Sequence, residues 1–321
     1  MESQVALCLD LGGTNVRLGL ISRRGKVLRR RRYRMKEINK KSDLYDSLLI
    51  MINSFLASTN DYPAPVCVVI GFAGPTMSSR GRVYFTPNIG GLYNLDLGDR
   101  LGSLLGMPVF IENDANCAAL GEYLFGAGRG VESLFLFTIG TGVGGAFIAG
   151  GTLWEGFDGI AGEIGHTVIR ADGPRCKCGK RGCLEAMVSA TAIVREYKGR
   201  VGRNRFRDGV EISAELVADR AKTGERAATG VIREAAHALG IGIANVFGLL
   251  NPELILIGGG VSRAGPVFIN PAVEHARSLV FGPLRRRLKV RRARLGDDGG
   301  LLGAACLGFQ KVSKQRRRNR G

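Results

Sequence analysis

The sequence contains no apolar run of about 18 or more residues, which is the length that a membrane-spanning helix requires. Its N-terminal stretch, MESQVALCLD, lacks the basic start and the apolar core of a secretory signal peptide. These two absences predict a cytoplasmic protein that does not insert into a membrane. The length of 321 residues, of which 45% are hydrophobic, is sufficient for two domains or one large domain with a sizeable core.

Acidic residues are scarce relative to basic ones. The chain has 28 Asp and Glu against 46 Lys and Arg, and the formal net charge is +18. Much of the excess lies in three runs, at 23–36, 285–294 and 311–320. Aromatic residues for base stacking are nearly absent from these runs, and no helix-turn-helix segment precedes the first strand. Nucleic acid is therefore not expected as a partner, and the runs are interpreted as solvated faces. A polyanion such as nucleic acid, a membrane surface or polyphosphate remains the alternative.

A P-loop of the form G-x-x-x-x-G-K-[ST] is also missing, but the chain offers another phosphate-type turn near its start. The apolar run Val5–Leu9 leads into Asp10, and Asp-Leu-Gly-Gly-Thr-Asn then separates it from a second apolar run. Backbone N–H groups at Gly12 and Gly13, with the side chains of Thr14 and Asn15, can form a concave donor surface for phosphate oxygens. Asp10 would repel phosphate, so it is expected to hold a Mg²⁺ ion or its waters.

A second turn of this kind follows the buried run 133–139, with the sequence Gly-Thr-Gly-Val-Gly-Gly at 140–145. It satisfies the dinucleotide pattern G-x-G-x-x-G, but that pattern requires a helix after the glycines. Here a short strand-like run follows, so the dinucleotide interpretation is rejected. Thr141 and Gly142 instead become candidate phosphate ligands in a second strand–turn–strand unit. The internal similarity predicts two related halves that face each other across a cleft.

The tripeptide Glu112-Asn113-Asp114 stands between an apolar run and a predicted helix. Alone, Asp114 is most simply interpreted as a helix cap. An acidic residue at the end of a strand that opens onto a helix is, however, also where α/β proteins place working side chains.

Three of the seven cysteines crowd into one Gly/Lys/Arg-rich loop. Cys176, Cys178 and Cys183, together with His166, form a complete tetrahedral Zn²⁺ set. Three free cysteines in a polar loop are the simpler but disfavoured alternative. Four protein ligands leave no open position, so the zinc is expected to be structural. It would hold Glu163, His166 and Glu185 in place.

The apolar run Leu254–Ile257 ends at three consecutive glycines. Gly259 and Gly260 would let a flat ring approach the backbone closely. A plain tight turn is an equal alternative.

These stretches together resemble the ROK family of sugar kinases and related repressors. The resemblance covers nearly the whole chain and rests on DLGGTNVRLGL, TPNIGGL, VFIENDANCAALGE, TIGTGVGGAF, GIAGEIGHTVI, CKCGKRGCLE and NPELILIGGGVS. It implies the actin-like, hexokinase-type ATPase fold, with two α/β domains around a cleft.

The resemblance also implies a division of the chain. The N-terminal α/β domain would span 1–113, and the larger C-terminal α/β domain, with its zinc-binding loop 166–183, would span 114–299. A helix at about 300–312 is expected to pack back on the first domain, and the basic tail 313–321 is expected to be disordered. Family members tend to be homo-oligomers, so a dimer or tetramer is expected. The chain begins directly at the first strand, without the DNA-binding domain of the repressor branch, which favours a kinase.

The same resemblance assigns roles to residues. Asp114 would be the general base that takes the proton from a sugar hydroxyl, usually the one on C6, as it attacks the γ-phosphate of ATP. The sugar would be bound by Asn88, Asn113, Asp114, Glu163, His166 and Glu185. ATP and Mg²⁺ would be bound by Asp10, Gly12, Gly13, Thr14, Asn15, Thr141, Gly142, Gly259 and Gly260.

The leading hypothesis is ATP-dependent phosphorylation of glucose to glucose 6-phosphate. Kinases of fructose, allose, N-acetylmannosamine or N-acetylglucosamine are the alternatives within the class. A sugar-sensing regulator that has kept the sugar site belongs to a different class, and intact Asp10 and Asp114 argue against it. A polyphosphate donor is a third hypothesis, motivated by the basic runs.

Overall fold

The computed structural model describes residues 4–35, 44–85, 93–202 and 211–318. The chain forms two compact units. Unit 1 consists of Met1–Arg129, Leu153–Ala161 and Asp297–Gly321, and unit 2 of Gly130–Thr152 and Gly162–Gly296. Asn88, one of the residues expected to bind sugar, lies outside the described residues.

Unit 1 contains the strands β1 (Val5–Leu11), β2 (Asn15–Ser22), β3 (Val27–Arg34), β4 (Pro65–Phe72), β5 (Thr76–Met77), β6 (Arg82–Phe85), β7 (Tyr93–Asp96) and β8 (Val109–Asn113). Five of them form one sheet in the order β3-β2-β1-β4-β8, and the other three form a small antiparallel sheet. Strands β1, β4 and β8 run parallel. Their nearly continuous apolar sequences are typical of strands that are covered on both faces.

The helices of unit 1 are α1 (Leu44–Ala57), α2 (Leu97–Leu105), α3 (Asp114–Phe125) and α9 (Gly299–Arg318). Leu48, Ile52 and Phe55 of α1 are fully buried in the core beside β1 and β4. Helices α3 and α9 pack closely through glycines. A Cβ at Gly121 would overlap the backbone of Gly299, and one at Gly303 would overlap the backbone of Cys117. Bulkier residues at these positions would force the two helices apart.

The C-terminal tail differs from the expectation of disorder after residue 312. Helix α9 continues through Arg318. Val312, at the predicted boundary, is buried, and the helix runs on for the six residues 313–318. The Lys, Gln and Arg residues that follow are strong helix formers, and arginines in the last turn complement the helix dipole.

Unit 2 contains the strands β9 (Ser133–Ile139), β10 (Val143–Ala149), β12 (Leu254–Gly258) and β13 (Val290–Arg292), with which β11 (Thr152–Leu153) forms one sheet. Its order is β11-β10-β9-β12-β13. Strand β10 is antiparallel to β9, whereas β12 runs parallel to both β9 and β13. A strand after the glycine turn confirms that the turn is not a dinucleotide fingerprint.

The helices of unit 2 are α4 (Glu185–Val188), α5 (Ala190–Val201), α6 (Ala214–Lys222), α7 (Arg226–Leu250) and α8 (Pro266–Leu279). The apolar residues of α7 recur at helical spacing, so that one side of the helix faces the core. Ile232, Leu239 and Ile243 of α7 are buried in the core, and the helix ends at Asn251, which adopts a left-handed conformation.

The sheets of the two units repeat one arrangement. In each, a central strand pairs antiparallel with the strand that follows it and parallel with a later strand, which in turn has a parallel neighbour. The predicted internal similarity thus has a counterpart in strand order. Residues 114–129 group with unit 1, whereas the division made from the sequence assigns them to the second domain. No helix among the described residues is long and apolar enough to cross a membrane.

Candidate active site

The β1–β2 turn of unit 1 is closed by its own backbone. The Gly12 N–H donates to the Asn15 carbonyl oxygen at 3.0 Å, and the Met35 N–H donates to the Thr14 carbonyl oxygen at 2.9 Å. A Cβ at Gly12 would lie 3.1 Å from the Asn15 oxygen, so close approach explains the glycine here. Because the Gly12 N–H is engaged inside the turn, it is not directed at a ligand in this structure.

Asp10 lies at the end of β1 directly opposite Arg17 of β2. Arg17 Nη1 donates to Asp10 Oδ2 at 2.8 Å, and its Nη2 donates to Asp297 Oδ1 at 2.9 Å. Burial raises the pKa of the Asp10 carboxyl, although the charge and hydrogen bond of Arg17 oppose this. Sequence reasoning missed Arg17 and Asp297, because a contact across 280 residues leaves no local pattern.

Asp114 is the first residue of α3, and Asn113 is the cap. Asn113 Oδ1 accepts from the N–H groups of Ala115 and Asn116 at 2.9 and 3.2 Å. Its Nδ2 donates to the Gly74 carbonyl oxygen at 3.1 Å. Asp114 Oδ1 accepts from Ala115 N–H at 2.8 Å. The capping role therefore belongs to Asn113, and the Asp114 carboxylate lies at the positive end of the helix dipole.

Glu112 stabilises the end of strand β8 through its side chain. It was not among the predicted site residues. It is fully buried, and its Oε1 accepts from Asn113 N–H and from Asn116 Nδ2, both at 2.9 Å. Glu155 lies near it. Burial and the Glu112 carboxyl raise the pKa of Glu155, against the charge of Lys311. The sequence signal that could have identified Glu112 is an acidic residue inside an otherwise apolar strand.

The carboxyl ends of β1, β4 and β8 lie at one edge of the unit 1 sheet, since Leu11 pairs with Phe72 and Phe72 with Asn113. A Cβ at Gly71 would lie 3.7 Å from the Asp114 Cα. Unit 1 therefore gathers the β1–β2 turn and the start of α3 at the sheet edge where α/β proteins bind ligands.

The β9–β10 turn of unit 2 is tied to a carboxylate from outside the hairpin. Glu185 Oε2 accepts from the Val143 N–H at 3.0 Å. A Cβ at Gly142 would lie 2.6 Å from this same oxygen, so the hydrogen bond between Glu185 and Val143 requires glycine at position 142. The start of α5 adds two bonds: Ala190 N–H donates to the Gly140 oxygen at 2.8 Å, and Thr191 Oγ1 donates to the Thr141 oxygen at 3.1 Å.

Gly259 lies beside the same hairpin. Its φ is +81°, and a Cβ there would meet the Ile139 backbone at 2.4–2.5 Å. Only glycine fits this position, because both the conformation and the space exclude a side chain. Open space surrounds the Cβ position of Gly260. Close approach of a flat ring to the backbone and a plain tight turn are thus both compatible with this geometry.

Glu163 directly precedes a short 3₁₀ helix, Ile164–His166, and His166 is the last residue of that helix. The Nε2 of His166 lies 3.9 Å from Glu163 Oε2, and its Nδ1 lies 3.8 Å from Cys176 Sγ. Burial raises the pKa of the Glu163 carboxyl, His166 lowers it, and Glu185 raises it. The imidazole therefore has one nitrogen toward a carboxylate and the other toward the cysteines.

Ligand atoms of His166, Cys176, Cys178 and Cys183 all lie within 4.8 Å of one another. Cys178 Sγ and Cys183 Sγ are 3.6 Å apart. Tetrahedral Zn²⁺ with Zn–S bonds of about 2.3 Å requires sulfurs about 3.8 Å apart. The four residues therefore fit a zinc ion. A Cβ at Gly182 would overlap the Arg170 carbonyl oxygen, so glycine lets the loop fold back beside the cysteines.

The repeated sheets, each with a glycine-bearing hairpin on its central strand, define an α/β protein of the actin-like ATPase fold. The chain belongs to the ROK family, whose model matches residues 6–311. A glucokinase from Thermotoga maritima is 36% identical over 95% of this chain and 97% of its own.

Two solved structures show the same fold. One is a ROK family glucokinase from Streptomyces griseus in complex with glucose and AMPPNP, with a TM-score of 0.82 and 33% identity over 94% of this chain and 98% of that one. The other is a ROK family transcriptional regulator described as a homolog of the E. coli MLC protein, with a TM-score of 0.85 and 30% identity over 95% of this chain and 77% of that one.

Proposed function

We propose that this protein is an ATP-dependent hexose kinase that converts glucose to glucose 6-phosphate. The observation that carries the proposal is the Asp114 carboxylate, which directly follows the parallel strand β8 at the sheet edge and is fixed at a capped helix start. The similarity to glucokinases over nearly the whole chain supports it.

In the proposed reaction, Asp114 accepts the proton of the sugar hydroxyl on C6. The hydroxyl oxygen then bonds to the γ-phosphorus of ATP, the bond from that phosphorus to the bridging oxygen breaks, and ADP leaves. The capped start of α3 supports this role, because the bond from Ala115 N–H to Asp114 Oδ1 holds the carboxylate in one position. A positioned base of this kind contributes about 10²–10⁴-fold to the rate.

Phosphate binding is proposed at both hairpins. In unit 1 the donors would be Gly13 N–H and the side chains of Thr14 and Asn15. Asp10 offers the oxygen ligands that Mg²⁺ prefers, with Arg17 already on one of its oxygens. When bound, Mg²⁺ would neutralise phosphate charge. In unit 2 the proposed donors are Thr141 and Gly142, positioned by the bond between Glu185 and Val143 N–H.

The proposed sugar ligands in unit 1 are Asn113 and Asp114, together with Asn88. In unit 2 they are Glu163, His166 and Glu185. Glu185 would act on the sugar only through Oε1, because its Oε2 is bonded to the hairpin. A sugar ring carries hydroxyls all round, and carboxylates and amides supply the directional bonds that such a ring needs.

We also propose a structural zinc ion on His166, Cys176, Cys178 and Cys183. The fit of the sulfur separation supports it. The ion would fix the loop that precedes Glu185, and through Glu185 the hairpin.

A coupled ADP-release assay with Mg-ATP tests the function against glucose, fructose, mannose, allose, N-acetylglucosamine and N-acetylmannosamine. Glucose is expected to give the highest rate, with glucose 6-phosphate as the product. If another sugar gives a higher rate, that sugar rather than glucose is the substrate. No ADP release with any sugar, from folded protein, would contradict the kinase.

The similarity to a transcriptional regulator favours a sugar sensor as the second candidate. A sensor would bind a sugar, measured by calorimetry, without releasing ADP from ATP. Intact Asp10 and Asp114 support the kinase instead, because sensing alone requires neither.

A further inference from the structure

Glu112 is a fully buried acidic residue at the end of β8, directly before the cap of α3. Its side chain is 0% exposed, and its Oε1 accepts from Asn113 N–H and Asn116 Nδ2. Its other oxygen, Oε2, is shielded from solvent, and no hydrogen-bond donor reaches it among the residues that the structure describes. A charged oxygen that is buried without a partner is strongly destabilising, so a proton or a cation must accompany Oε2.

Glu155 is the acidic residue that faces Glu112. Its carboxyl lies within hydrogen-bonding reach of the Glu112 carboxyl and is partly buried against it, although the residue as a whole is exposed. Burial and the Glu112 charge raise the pKa of Glu155, whereas the charges of Lys311 and Lys314 on α9 lower it. These two lysines also disfavour a further cation, so a proton is the group that best joins the two carboxyls. Two carboxyls in contact hold such a proton between them.

The other titratable groups around Glu112 do not take over this role. Burial raises the pKa of the Cys117 thiol on α3, and the charge of Glu112 raises it further, so this thiol stays neutral. Lys311 Nζ donates to the Ser78 carbonyl oxygen at 3.3 Å. Asp114, two residues along the chain, brings a further negative charge. Negative charge close to the two glutamates favours retention of a proton.

Glu155 belongs to the segment Leu153–Ala161, which groups with unit 1, whereas the residues on both sides of it group with unit 2. The segment folds back on itself, because Ala161 N–H donates to the Glu155 carbonyl oxygen at 3.1 Å. It packs on β5, where a Cβ at Gly159 would lie 3.2 Å from the Thr76 carbonyl oxygen. A bond between the two carboxyls therefore joins this segment to the strand that precedes the proposed base.

We propose that Glu112 and Glu155 share one proton, and that this carboxyl pair positions the proposed base, Asp114. While the pair holds its proton, Glu112 Oε1 stays on Asn113 N–H and Asn116 Nδ2 and thereby fixes the start of α3. Once the proton is lost, two adjacent negative charges repel each other and these contacts weaken. Glu155 is exposed and exchanges the proton with solvent. The effect on rate rests on the proposed kinase function, whereas the pair itself does not.

The pair and the base impose opposite pH dependences on turnover. Asp114 must be ionised to accept a proton, so its titration sets the acid limb of the pH–rate profile. The pair must be protonated, so turnover falls as the pH rises through the raised pKa of Glu155. Stability has the same sign as this second dependence. The contribution of the shared proton is fully present below the ordinary Glu pKa of 4.5 and is lost as the pH rises through the raised value.

Glu155→Gln is the variant that tests the pair, because the amide of Gln can donate to Glu112 Oε2 at every pH. The control is Asp158→Asn, which removes an exposed carboxylate from the same segment. The kcat with Mg-ATP and glucose is measured as a function of pH. In the wild type and the control, kcat should fall above the pKa of the pair, by at most about tenfold per pH unit because one proton is lost. In Glu155→Gln this alkaline limb should disappear.

An alkaline limb that is unchanged in Glu155→Gln would overturn the proposed role of the pair in turnover. The absence of such a limb from the wild-type profile would overturn it equally. If the wild type requires K⁺ and Glu155→Gln does not, a monovalent cation rather than a proton joins the two carboxyls, and the shared proton is overturned.

Unfolding tests the pair independently of activity. The urea midpoints of the wild type and of Asp158→Asn should fall as the pH rises through the pKa of the pair, and Glu155→Gln should lose this part of the decrease. The same pH dependence in all three proteins would overturn the pair. No turnover at any pH, together with the expected difference in unfolding, would contradict the kinase and leave the pair in place.

Discussion

Units 1 and 2 repeat one strand order, yet their hairpins carry different chemistry. In unit 1 the position opposite Arg17 is Asp10, so an ion pair lies on the two strands themselves. In unit 2 the corresponding strands pair Thr138 with Gly144, and the carboxylate comes from Glu185 of α4. The same backbone arrangement thus carries a charged ion pair beside the turn in unit 1. In unit 2 the turn is uncharged and is held by Glu185, which lies outside the hairpin.

The cysteines also have different roles in the two units. In unit 1, burial raises the pKa of the Cys67 thiol to about 12 and that of Cys306 to about 11. In unit 2, three cysteines converge with His166, and Cys178 is exposed. Unit 1 therefore uses sulfur as an apolar core group, and unit 2 concentrates it where a metal can bind.

Removing the proposed zinc ion should have the largest effect and should affect unit 2 alone. Structural zinc contributes apparent binding free energies of about 10–16 kcal/mol in small zinc domains, so its loss here should unfold the loop 166–183. Cys183→Ser should lower the melting temperature and abolish metal binding, whereas the wild type should contain about one zinc per chain by elemental analysis.

Cys306→Ser in unit 1 is the control, because that thiol lies outside the cluster. It should leave the metal content unchanged. A well-folded wild-type protein with no metal, or equal metal content in both variants, would contradict the division between the units.

Gly142→Ala should have the next largest effect. Its Cβ would displace the Glu185 carboxylate from Val143 N–H, and losing one such bond costs about 0.5–1.5 kcal/mol. The KM for ATP should rise, while denaturation midpoints change little.

The double variant Gly142→Ala/Glu185→Ala sharpens this test. If the glycine serves only to admit Glu185, the second substitution adds little to the first. Fully additive effects on the KM for ATP would show that the two positions act independently.

Thiol reactivity should give the smallest effect, since it leaves the fold of unit 1 intact. In metal-depleted protein the loop 166–183 is expected to unfold, so its three thiols become accessible. At neutral pH an alkylating reagent should therefore modify Cys176, Cys178 and Cys183 before the cysteines of unit 1, as measured by peptide mass spectrometry. Cys8, Cys67, Cys117 and Cys306 should react only near their raised pKa values or after unfolding. Early modification of Cys67 would contradict its burial.

The sequence predicted what depends on local pattern. The two strand–turn–strand hairpins, the strand before Asp114 and the Cys/His loop all have short signatures, and each is present in the structure. The family was also predicted from these motifs, and the family match confirms it.

What the sequence did not predict depends on contacts between distant residues. The bridge from Arg17 to Asp297 joins positions 280 residues apart. The bond from Glu185 to Val143 spans 42 residues, and it explains Gly142 better than any turn rule does. The end of α9 was placed too early because a basic composition suggested disorder, whereas the Lys, Gln and Arg residues after Val312 continue the helix.

The most direct test of the central claim, that unit 1 supplies the reacting carboxylate, is to measure glucose binding and turnover on the same preparation of Asp114→Asn. Asp99→Asn, in the first turn of α2, is the matched control. Glucose affinity should be retained in Asp114→Asn while turnover falls by about 10²–10⁴-fold, and the control should match the wild type. Near-normal turnover in Asp114→Asn would contradict the account.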